Sequence, residues 1–340
     1  MKPSKVTIKE VALEAGVSVA TVSRLVNGTS VVSEETATKV QETIERLGYE
    51  TNLMARNLRK SETRVILILC PNVTNPYYAH ILAGITEAAY QKGYSAVMYT
   101  TNSDSERELE GIQMLLRGRV DGAILMDGMV ERQAFCQAAS RFPIVQCSEY
   151  VDTEVAPVVC IDNYQASREM MAHLLGLGHT RIAMISSEND YISTKNRTRA
   201  YMDSLLEANI PFNPDYIKLA SKDYSIQSGR TCALELLKMK EIPTAIFCIS
   251  DTLALGSIIA AQELGIDIPN ELSVSGFDDV EFTTLLHPYI TTIAQPCYDL
   301  GQASAQILFE RLENHSERAG LVYLDHQLVT RESTGKNNMF

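Results

Sequence analysis

The chain has 340 residues, 45% of them hydrophobic and 21% charged, and its formal net charge is −12. These values indicate a soluble globular protein with two or three folding units, and they argue against a generic, basic nucleic-acid binder. No segment approaches the roughly 18 apolar residues of a membrane span, and no apolar run follows Met1-Lys2-Pro3-Ser4-Lys5. We therefore expect a cytoplasmic protein without a membrane partner.

The charge is divided unevenly along the chain. Residues 1–60 contain nine Lys or Arg and seven Asp or Glu, a net of +2, whereas the other 280 residues contain 21 and 35, a net of −14. Any affinity for nucleic acid would therefore lie in the N-terminal unit, because the acidic remainder of the chain repels phosphates. Because the N-terminal unit is only weakly basic, we expect it to act in two copies.

The first predicted elements are two short helices joined by a tight turn. Thr7 and Glu10 have capping-box spacing at the start of the first helix. Gly16 is typical of a helix end in the left-handed conformation, and Ser18 is a natural N-cap for the second helix. Burial of the apolar positions of the second helix leaves an exposed first turn with small, hydroxyl and Arg side chains: Val19, Ala20, Thr21, Ser23 and Arg24.

Such a turn suits the major groove of DNA. An Arg can bond O6 and N7 of guanine, Val and Ala can touch a thymine methyl group, and hydroxyls can hold phosphates. A helical hairpin without a DNA role remains the alternative at this point. A third amphipathic helix, over about residues 33–47, places Val40, Ile44 and Leu47 on one face and closes a three-helix core.

This order resembles the LacI/GalR family of bacterial transcription regulators, and the resemblance extends through nearly the whole chain. The matching motifs are Val17-Ser18, Thr21-Val22-Ser23-Arg24, Val32-Ser33, Leu47-Gly48-Tyr49, Asn52 and Ala55-Arg56 with Leu58. The resemblance implies that Thr7, Asn27, Asn52 and Ala55 also contact DNA. It further implies a hinge helix after the third helix, from which Leu58 wedges into the minor groove and kinks the duplex. The family usually has Pro where this chain has Thr51, so the start of the hinge is less rigidly set here.

From residue 65 onward, short β-branched strands alternate with amphipathic helices. Strands are predicted at 65–70, 95–100, 122–126, 144–146 and 158–161, and helices at 77–92 and 105–117. A second series follows, with strands at 182–185, 245–249 and 273–277 and helices at 164–177, 194–208, 226–238 and 253–264. This alternation predicts two doubly wound lobes, each with a parallel sheet covered on both faces.

The resemblance implies how the two lobes are joined. It predicts an α/β core like that of periplasmic binding proteins, with crossings near 291–294 and 324–328 and a helix over 298–312. We thus expect an all-α helix-turn-helix headpiece at 1–50, a hinge at 51–61 and an effector-binding and dimerisation core at 62–340. Lobe 1 would comprise about 62–161 and 291–324, and lobe 2 about 162–290 and 325–340.

In open α/β sheets, ligands bind beyond the carboxyl ends of the strands. Polar and aromatic residues follow those ends, beginning with Asn75-Pro76-Tyr77-Tyr78 after the first strand of the core. Asn75, Tyr77 and Tyr78 can stack and hydrogen-bond a ring-shaped ligand. The resemblance implies that the effector also contacts six further residues: Ser148, Glu149, Arg197, Ser250, Asp278 and Gln295. Such a set matches a small polyhydroxylated ligand: a sugar, sugar phosphate or nucleoside.

Several of these residues have structural alternatives. Tyr77 and Tyr78 could pack the start of a helix, Arg197 could pair with surface acids, and Asp251 is expected to cap a helix, which leaves Ser250 as the contact. The pair Asp278-Asp279 could suggest acid–base chemistry, but adjacent residues on a strand point in opposite directions, so at most one of them would face the cleft.

Three departures from the family pattern bear on the effector. The family often has Asp at the position of Ser148, Asn at that of Ser250 and Gly at that of Ala200. Ser148-Glu149 and the run 247–251 look more like the cytidine-responsive branch. We therefore expect a nucleoside first among small sugar-like effectors.

The chain contains no Gly-x-Ser-x-Gly, Walker or His-Glu-x-x-His motif, and its six histidines are scattered. The seven cysteines lack a Cys-x-x-Cys pair, which favours reduced, buried thiols. We expect a protein that binds neither a metal nor a cofactor and that is not an enzyme.

The rival hypothesis is a solute-binding protein or sugar enzyme that shares the two-lobe fold. No heptad pattern follows residue 334, so the expected assembly is a homodimer on operator DNA.

Overall fold

The computed structural model describes residues 6–26, 32–49, 62–314 and 320–337. The chain divides into two compact units, residues 1–63 and residues 64–340. Within the described ranges, no helix is both long and apolar enough to cross a bilayer.

The N-terminal unit contains helices α1 (Ile8–Ala15), α2 (Val19–Val26) and α3 (Glu34–Leu47). The predicted capping box is present, because the side chains of Thr7 and Glu10 each accept a hydrogen bond from the other residue's backbone N–H. Gly16 ends α1 with a φ of 66°, a left-handed conformation that glycine adopts without strain. The three helices enclose a small apolar core built from Val11, Ala12, Ala15, Val22 and Val40.

Lobe 1 is built on a parallel six-stranded sheet. Its strands are β1 (Val65–Cys70), β2 (Ser95–Thr100), β3 (Gly122–Leu125), β4 (Ile144–Cys147), β5 (Val158–Cys160) and β11 (Leu321–Tyr323). Their order is β11-β5-β4-β3-β1-β2, with Ile66 in register with Ala96 and Gly122. Helices α4 (Pro76–Gln91), α5 (Ser105–Leu116), α6 (Arg132–Ala139) and α11 (Cys297–Asn314) accompany this sheet, and apolar clusters fill both of its faces.

Lobe 2 repeats this plan with a smaller sheet. Strands β6 (Ile182–Ser187), β7 (Ile217–Ala220), β8 (Ala245–Cys248) and β9 (Ser273–Ser275) are parallel in the order β7-β6-β8-β9. The helices are α7 (Asn163–Gly176), α8 (Ile192–Glu207), α9 (Ile226–Leu236) and α10 (Asp251–Glu263). A short antiparallel pair, β10 (Thr292–Ala294) and β12 (Gln327–Val329), contributes Ile293 and Leu328 to the apolar core of this lobe.

Each lobe contains a helix pair in very close contact. In lobe 1, a Cβ at Gly84 would lie 2.1 Å from the carbonyl oxygen of Tyr298, and one at Gly301 would lie 2.1 Å from that of Ile81. In lobe 2, a Cβ at Gly256 would lie 2.2 Å from the carbonyl oxygen of Ile226. Only glycine fits at these positions, so α4 with α11 and α9 with α10 pack backbone to backbone.

The predicted fold class, a small helical headpiece followed by a two-lobe core with parallel sheets, is confirmed. The sequence prediction omitted α6 and β7. Helix α6 has only eight residues, and β7 is a short edge strand whose exposed residues include Leu219. All seven cysteines are free thiols, and six of them are buried.

Candidate functional site

A cavity lies between the lobes, where the carboxyl ends of strands from both sheets meet. Its volume is about 20 Å³, which is room for a water molecule and far below the roughly 300–1,000 Å³ of a typical ligand pocket. All the predicted effector residues except Gln295 line it, together with three that were not predicted: Ser193, Tyr224 and Ile249. The sequence prediction thus collects residues that are up to about 200 positions apart into one place.

The start of α4 forms the wall in lobe 1. Asn75 caps this helix by accepting a hydrogen bond from the backbone N–H of Tyr77 at 3.0 Å. The rings of Tyr77 and Tyr78 are edge to face, with centroids 5.1 Å apart. The Tyr77 hydroxyl is 2.6 Å from Ser148 Oγ and 3.3 Å from Gln295 Oε1. Both tyrosines therefore pack the helix start and line the cavity, and Gln295 supports the wall from behind.

Glu149 connects lobe 1 to the start of α8 in lobe 2. Its carboxylate accepts hydrogen bonds from the backbone N–H of Ser193, at 3.3 Å, and from the Ser193 hydroxyl. Tyr191, the N-cap residue of α8, makes no capping bond with its own side chain, so Glu149 supplies the cap from the other lobe. Burial raises the pKa of Glu149 to about 7, against the opposing effects of Ser193 and Arg197.

Arg197 is buried and held by its own lobe. Its Nε and Nη2 both donate to Oδ1 of Asn163, at 2.9 and 2.8 Å, and its Nη1 donates to the carbonyl of Ile249 at 2.5 Å. The guanidinium stacks on the Phe277 ring, 3.6 Å from the centroid. The alternative of pairing with surface acids is therefore wrong, because its acidic neighbour is buried Asp278, with Oδ1 4.0 Å from Nη1.

Asp278 lies between Arg197 and Gln295. Burial raises the pKa of Asp278 to about 7, while Arg197 and the hydrogen bond from Gln295 Nε2, at 2.7 Å, oppose that rise. The strand geometry assumed for Asp278 and Asp279 is wrong, because both have positive φ, 118° and 58°, after the end of β9, although Asp278 forms an isolated parallel bridge with Ala294. Asp278 lines the cavity, whereas Asp279 pairs with Arg331 at 2.7 Å.

The expectation that Asp251 caps a helix is wrong. Ser250, not Asp251, is the N-cap of α10, since its Oγ accepts a hydrogen bond from the backbone N–H of Leu253. Ser250 also lines the cavity. Asp251 is fully buried and accepts hydrogen bonds from the Val280 backbone and, at 2.6 Å, from the Thr292 hydroxyl. Its hydrogen bonds connect the segment after β9 and strand β10 to the start of α10.

The three cavity residues missed by sequence reasoning also follow strand ends. Ser193 follows β6, Tyr224 follows β7 and Ile249 follows β8. Tyr224 escaped notice because β7 was not predicted. Its hydroxyl lies 2.8 Å from Asn189 Nδ2 and 3.0 Å from Thr194 Oγ1, so its ring is fixed at the cavity by lobe 2.

The predicted DNA-contacting residues of the N-terminal unit fall into three groups. The hydroxyls of Thr7, Ser18 and Thr21 take part in helix-start hydrogen bonds. On α2, Val19, Ala20 and Arg24 are exposed and Ser23 is partly exposed. The third group lies outside the described residues: Asn27, Asn52, Ala55 and Leu58. The exposed first turn of α2 thus presents the small apolar surface expected of a groove-reading helix.

The charged lining allows hydrogen bonding and charge stabilisation of a ligand. In the described ranges, no cluster of His, Cys, Asp and Glu has the arrangement of a metal site. A ligand would instead meet carboxyl, hydroxyl and amide groups and aromatic ring faces.

Two family models together cover most of the chain. Residues 7–52 match the model described as bacterial regulatory proteins, lacI family, and residues 63–330 match that of periplasmic binding proteins and the sugar binding domain of the LacI family. Catabolite control protein A of Priestia megaterium is 35% identical, covering 97% of this chain and 99% of that protein. The HTH-type transcriptional repressor CytR of Escherichia coli K12 is 31% identical, covering 96% of each. A Lac repressor dimer bound to operator and the anti-inducer ONPF has a TM-score of 0.86 at 28% identity, covering 98% of this chain and 100% of that one.

Proposed function

Because the chain belongs to the LacI family of bacterial regulatory proteins, we propose that it is a transcriptional repressor controlled by a small effector. Two headpieces of a homodimer bind the halves of a near-palindromic operator, and the effector binds between the lobes of each core. The cavity carries this proposal, because residues from both lobes converge on it and Glu149 of lobe 1 caps a helix of lobe 2.

The lining favours an uncharged, polyhydroxylated effector over a sugar phosphate. Among the described residues that line the cavity, Glu149 and Asp278 are acidic and Arg197 is basic. Arg197 already gives three of its donor groups to Asn163 and Ile249. A phosphate would therefore meet two carboxyl groups and little unused positive charge, whereas neutral hydroxyls can donate to the carboxylates and accept from the guanidinium.

Three tyrosine side chains at the cavity support a nucleoside as the first candidate. Tyr77, Tyr78 and Tyr224 supply ring faces and edges on which a base can stack. Ser148 and Ser250 supply hydroxyls for a ribose or for base edges. A plain pentose or hexose would use the polar groups and leave part of this aromatic surface without a partner.

A sugar-sized ligand enters only if the lobes move apart. The cavity of about 20 Å³ is too small for such a molecule. Effector binding must therefore be coupled to the angle between the lobes, which is a two-state element of the kind that allosteric control requires. Operator and effector then change each other's affinity by the same factor.

The proposed DNA-reading surface is the exposed face of α2, with Val19 and Ala20 in its first turn and Arg24 in its last turn. We propose that Val19 and Ala20 contact thymine methyl groups and that Arg24 bonds a guanine edge. The hydroxyls of Thr7, Ser18, Thr21 and Ser23 are proposed to hold phosphates. Asn27, Asn52, Ala55 and Leu58 are proposed to complete the contact, with paired Leu58 side chains in the minor groove at the operator centre.

We also propose that the protein is cytoplasmic and is not an enzyme, since two relatives that cover 97% and 96% of it are named as a catabolite control protein and a transcriptional repressor. The competing function is a solute-binding protein or sugar enzyme with the same two-lobe fold. Deletion of residues 1–60 separates the two. A regulator loses operator binding and keeps effector binding, whereas the competing function is unaffected.

The effector class is tested by thermal unfolding with pentoses, hexoses, sugar phosphates, nucleosides and purine bases. A ligand at 100 times its Kd should add about 2.7 kcal/mol to the stability of the core. This stabilisation by the ligand should disappear in Asp278→Asn and persist in Asp279→Asn. The Asp279 side chain pairs with Arg331 and does not line the cavity. Stabilisation by sugar phosphates but not by nucleosides would contradict the proposed class.

A further inference from the structure

A second set of contacts joins the lobes beside the cavity, through residues that do not line it. The side chain of Tyr191, in lobe 2, reaches lobe 1 and is only 3% exposed. Its hydroxyl donates to Oδ1 of Asp127 at 2.6 Å and lies 2.7 Å from the Ser103 hydroxyl. The Thr101 hydroxyl donates to the other carboxylate oxygen of Asp127. We refer to Thr101, Ser103, Asp127 and Tyr191 as the latch.

Lobe 1 holds the hydrogen-bond partners of Tyr191 in fixed positions. Ser103 has a φ of 55°, an unusual conformation for a residue with a side chain, and it is this residue whose hydroxyl meets Tyr191. The segment after Asp127 is fixed by the buried carboxyl group of Glu108, which accepts hydrogen bonds from the backbone N–H groups of residues 128, 129 and 130 at 3.2, 2.7 and 2.6 Å. The surrounding structure thus holds both partners of Tyr191 in place.

The latch and the cavity share the start of α8. Tyr191 is the N-cap residue of this helix, and Ser193, two residues later, donates its N–H to Glu149 at the cavity. Asn189 ties the same segment together, because its Oδ1 accepts hydrogen bonds from the Tyr191 N–H and the Thr194 hydroxyl. Any separation of the lobes must break the Tyr191 and Ser193 contacts with lobe 1 together.

We propose that Tyr191 and Asp127 are positioning residues that hold the two lobes closed and thereby set how readily an effector enters. The effect on effector entry rests on the proposed function, whereas the closing role concerns the protein without any ligand. Loss of the tyrosine hydroxyl destabilises the arrangement with the lobes together more than the arrangement with the lobes apart. With the lobes apart, Asp127 is hydrated, but with the lobes together and the tyrosine hydroxyl removed, its carboxylate stays buried and loses a donor.

The test is amide hydrogen exchange of the full-length, ligand-free protein, followed in peptides that contain Ser193. That N–H is bonded across the lobes, so its exchange reports their separation. Tyr191→Phe should speed its exchange at least about tenfold, since a hydrogen bond to a charged group contributes about 1.5–3 kcal/mol and each 1.4 kcal/mol is a factor of ten. Peptides from β6 and β8, in the core of lobe 2, should not change.

Two further variants make the result specific. Tyr201→Phe is the matched control, because Tyr201 is also buried and its hydroxyl donates to the Ile182 carbonyl within lobe 2. It should leave the exchange of Ser193 unchanged. Tyr191→Phe combined with Asp127→Asn should exchange more slowly at Ser193 than Tyr191→Phe alone, because the buried charge that lost its tyrosine donor has been removed.

Three results would overturn the proposal. The first is an unchanged exchange rate at Ser193 in Tyr191→Phe. The second is an equal increase of that rate in Tyr201→Phe. The third is a double variant that exchanges at Ser193 as fast as Tyr191→Phe alone. A failure of every ligand in the thermal-unfolding screen would count against the proposed effector site and leave this test unaffected, so the two failures can be told apart.

Discussion

Replacing Glu149 by Gln should change how the stability of the core depends on pH. Glu149 is 5% exposed, and burial raises its pKa from 4.5 to about 7. A carboxyl group whose pKa is higher in the folded state binds more protons there than in the unfolded chain. Its contribution to stability is therefore fully present below pH 4.5 and is lost as the pH rises to about 7.

The size of the effect follows from the two pKa values. Between pH 5 and pH 8, the wild-type protein should lose about 2–3 kcal/mol of stability through Glu149 alone. Glutamine stays neutral at both pH values and can accept the Ser193 hydrogen bonds through its Oε1. The free energy of unfolding of Glu149→Gln, taken relative to that of the wild type, should therefore rise by about 2–3 kcal/mol from pH 5 to pH 8.

Urea unfolding at pH 5 and pH 8, without ligand and at one protein concentration, measures this difference. Glu263→Gln is the control, because burial is absent there and the Arg230 side chain holds the pKa of Glu263 below its ordinary value. Glu263 is mostly ionised in both states throughout this pH range, so the effect of its replacement should be nearly the same at both pH values. An equally constant effect of Glu149→Gln would refute the reasoning about burial at the cavity.

Three more predictions concern the headpiece, the cavity and the packing of lobe 1. Arg24→Ala should weaken operator binding by about 1–3 kcal/mol at one G·C pair and relax specificity there, as measured by fluorescence anisotropy on base-substituted operators; an equal loss on all DNA would refute base reading. Asp278→Asn should raise the effector Kd, measured by calorimetry, and leave operator affinity without effector unchanged; a change only in the latter would mean a structural role. Gly84→Ala should destabilise the core by about 1–3 kcal/mol in urea unfolding, because its Cβ would lie 2.1 Å from the Tyr298 carbonyl oxygen. Gly176→Ala, where a Cβ meets nothing within 4 Å, should be neutral or stabilising, and an equal loss in both would contradict the packing argument.

Local chemistry made the headpiece predictable. Thr7, Glu10 and Gly16 act through bonds and dihedral angles within a few residues of themselves, and the structure has both the capping box and the left-handed helix end. Ser33 was placed inside the third helix and is instead its N-cap, with Oγ accepting a hydrogen bond from the Thr36 N–H. Such shifts of one residue at helix ends are ordinary.

The location of the cavity was also predictable, because parallel strands end at one edge of each sheet. The partners of its residues were not. Arg197 bonds Asn163, 34 residues away, and Asp251 bonds Thr292, 41 residues away, and no local pattern encodes either pair. The closeness of the lobes was equally hidden, since it depends on contacts such as Tyr191 with Asp127 that form only after both lobes have folded.

Operator binding measured with and without effector tests the account most directly. Anisotropy titrations give the operator Kd at zero and saturating ligand, and calorimetry gives the ligand Kd with and without operator. We expect both constants to change by one common factor, typically about 5- to 150-fold. An operator Kd that is unchanged by saturating ligand, or a protein lacking residues 1–60 that still binds the operator, would contradict the account.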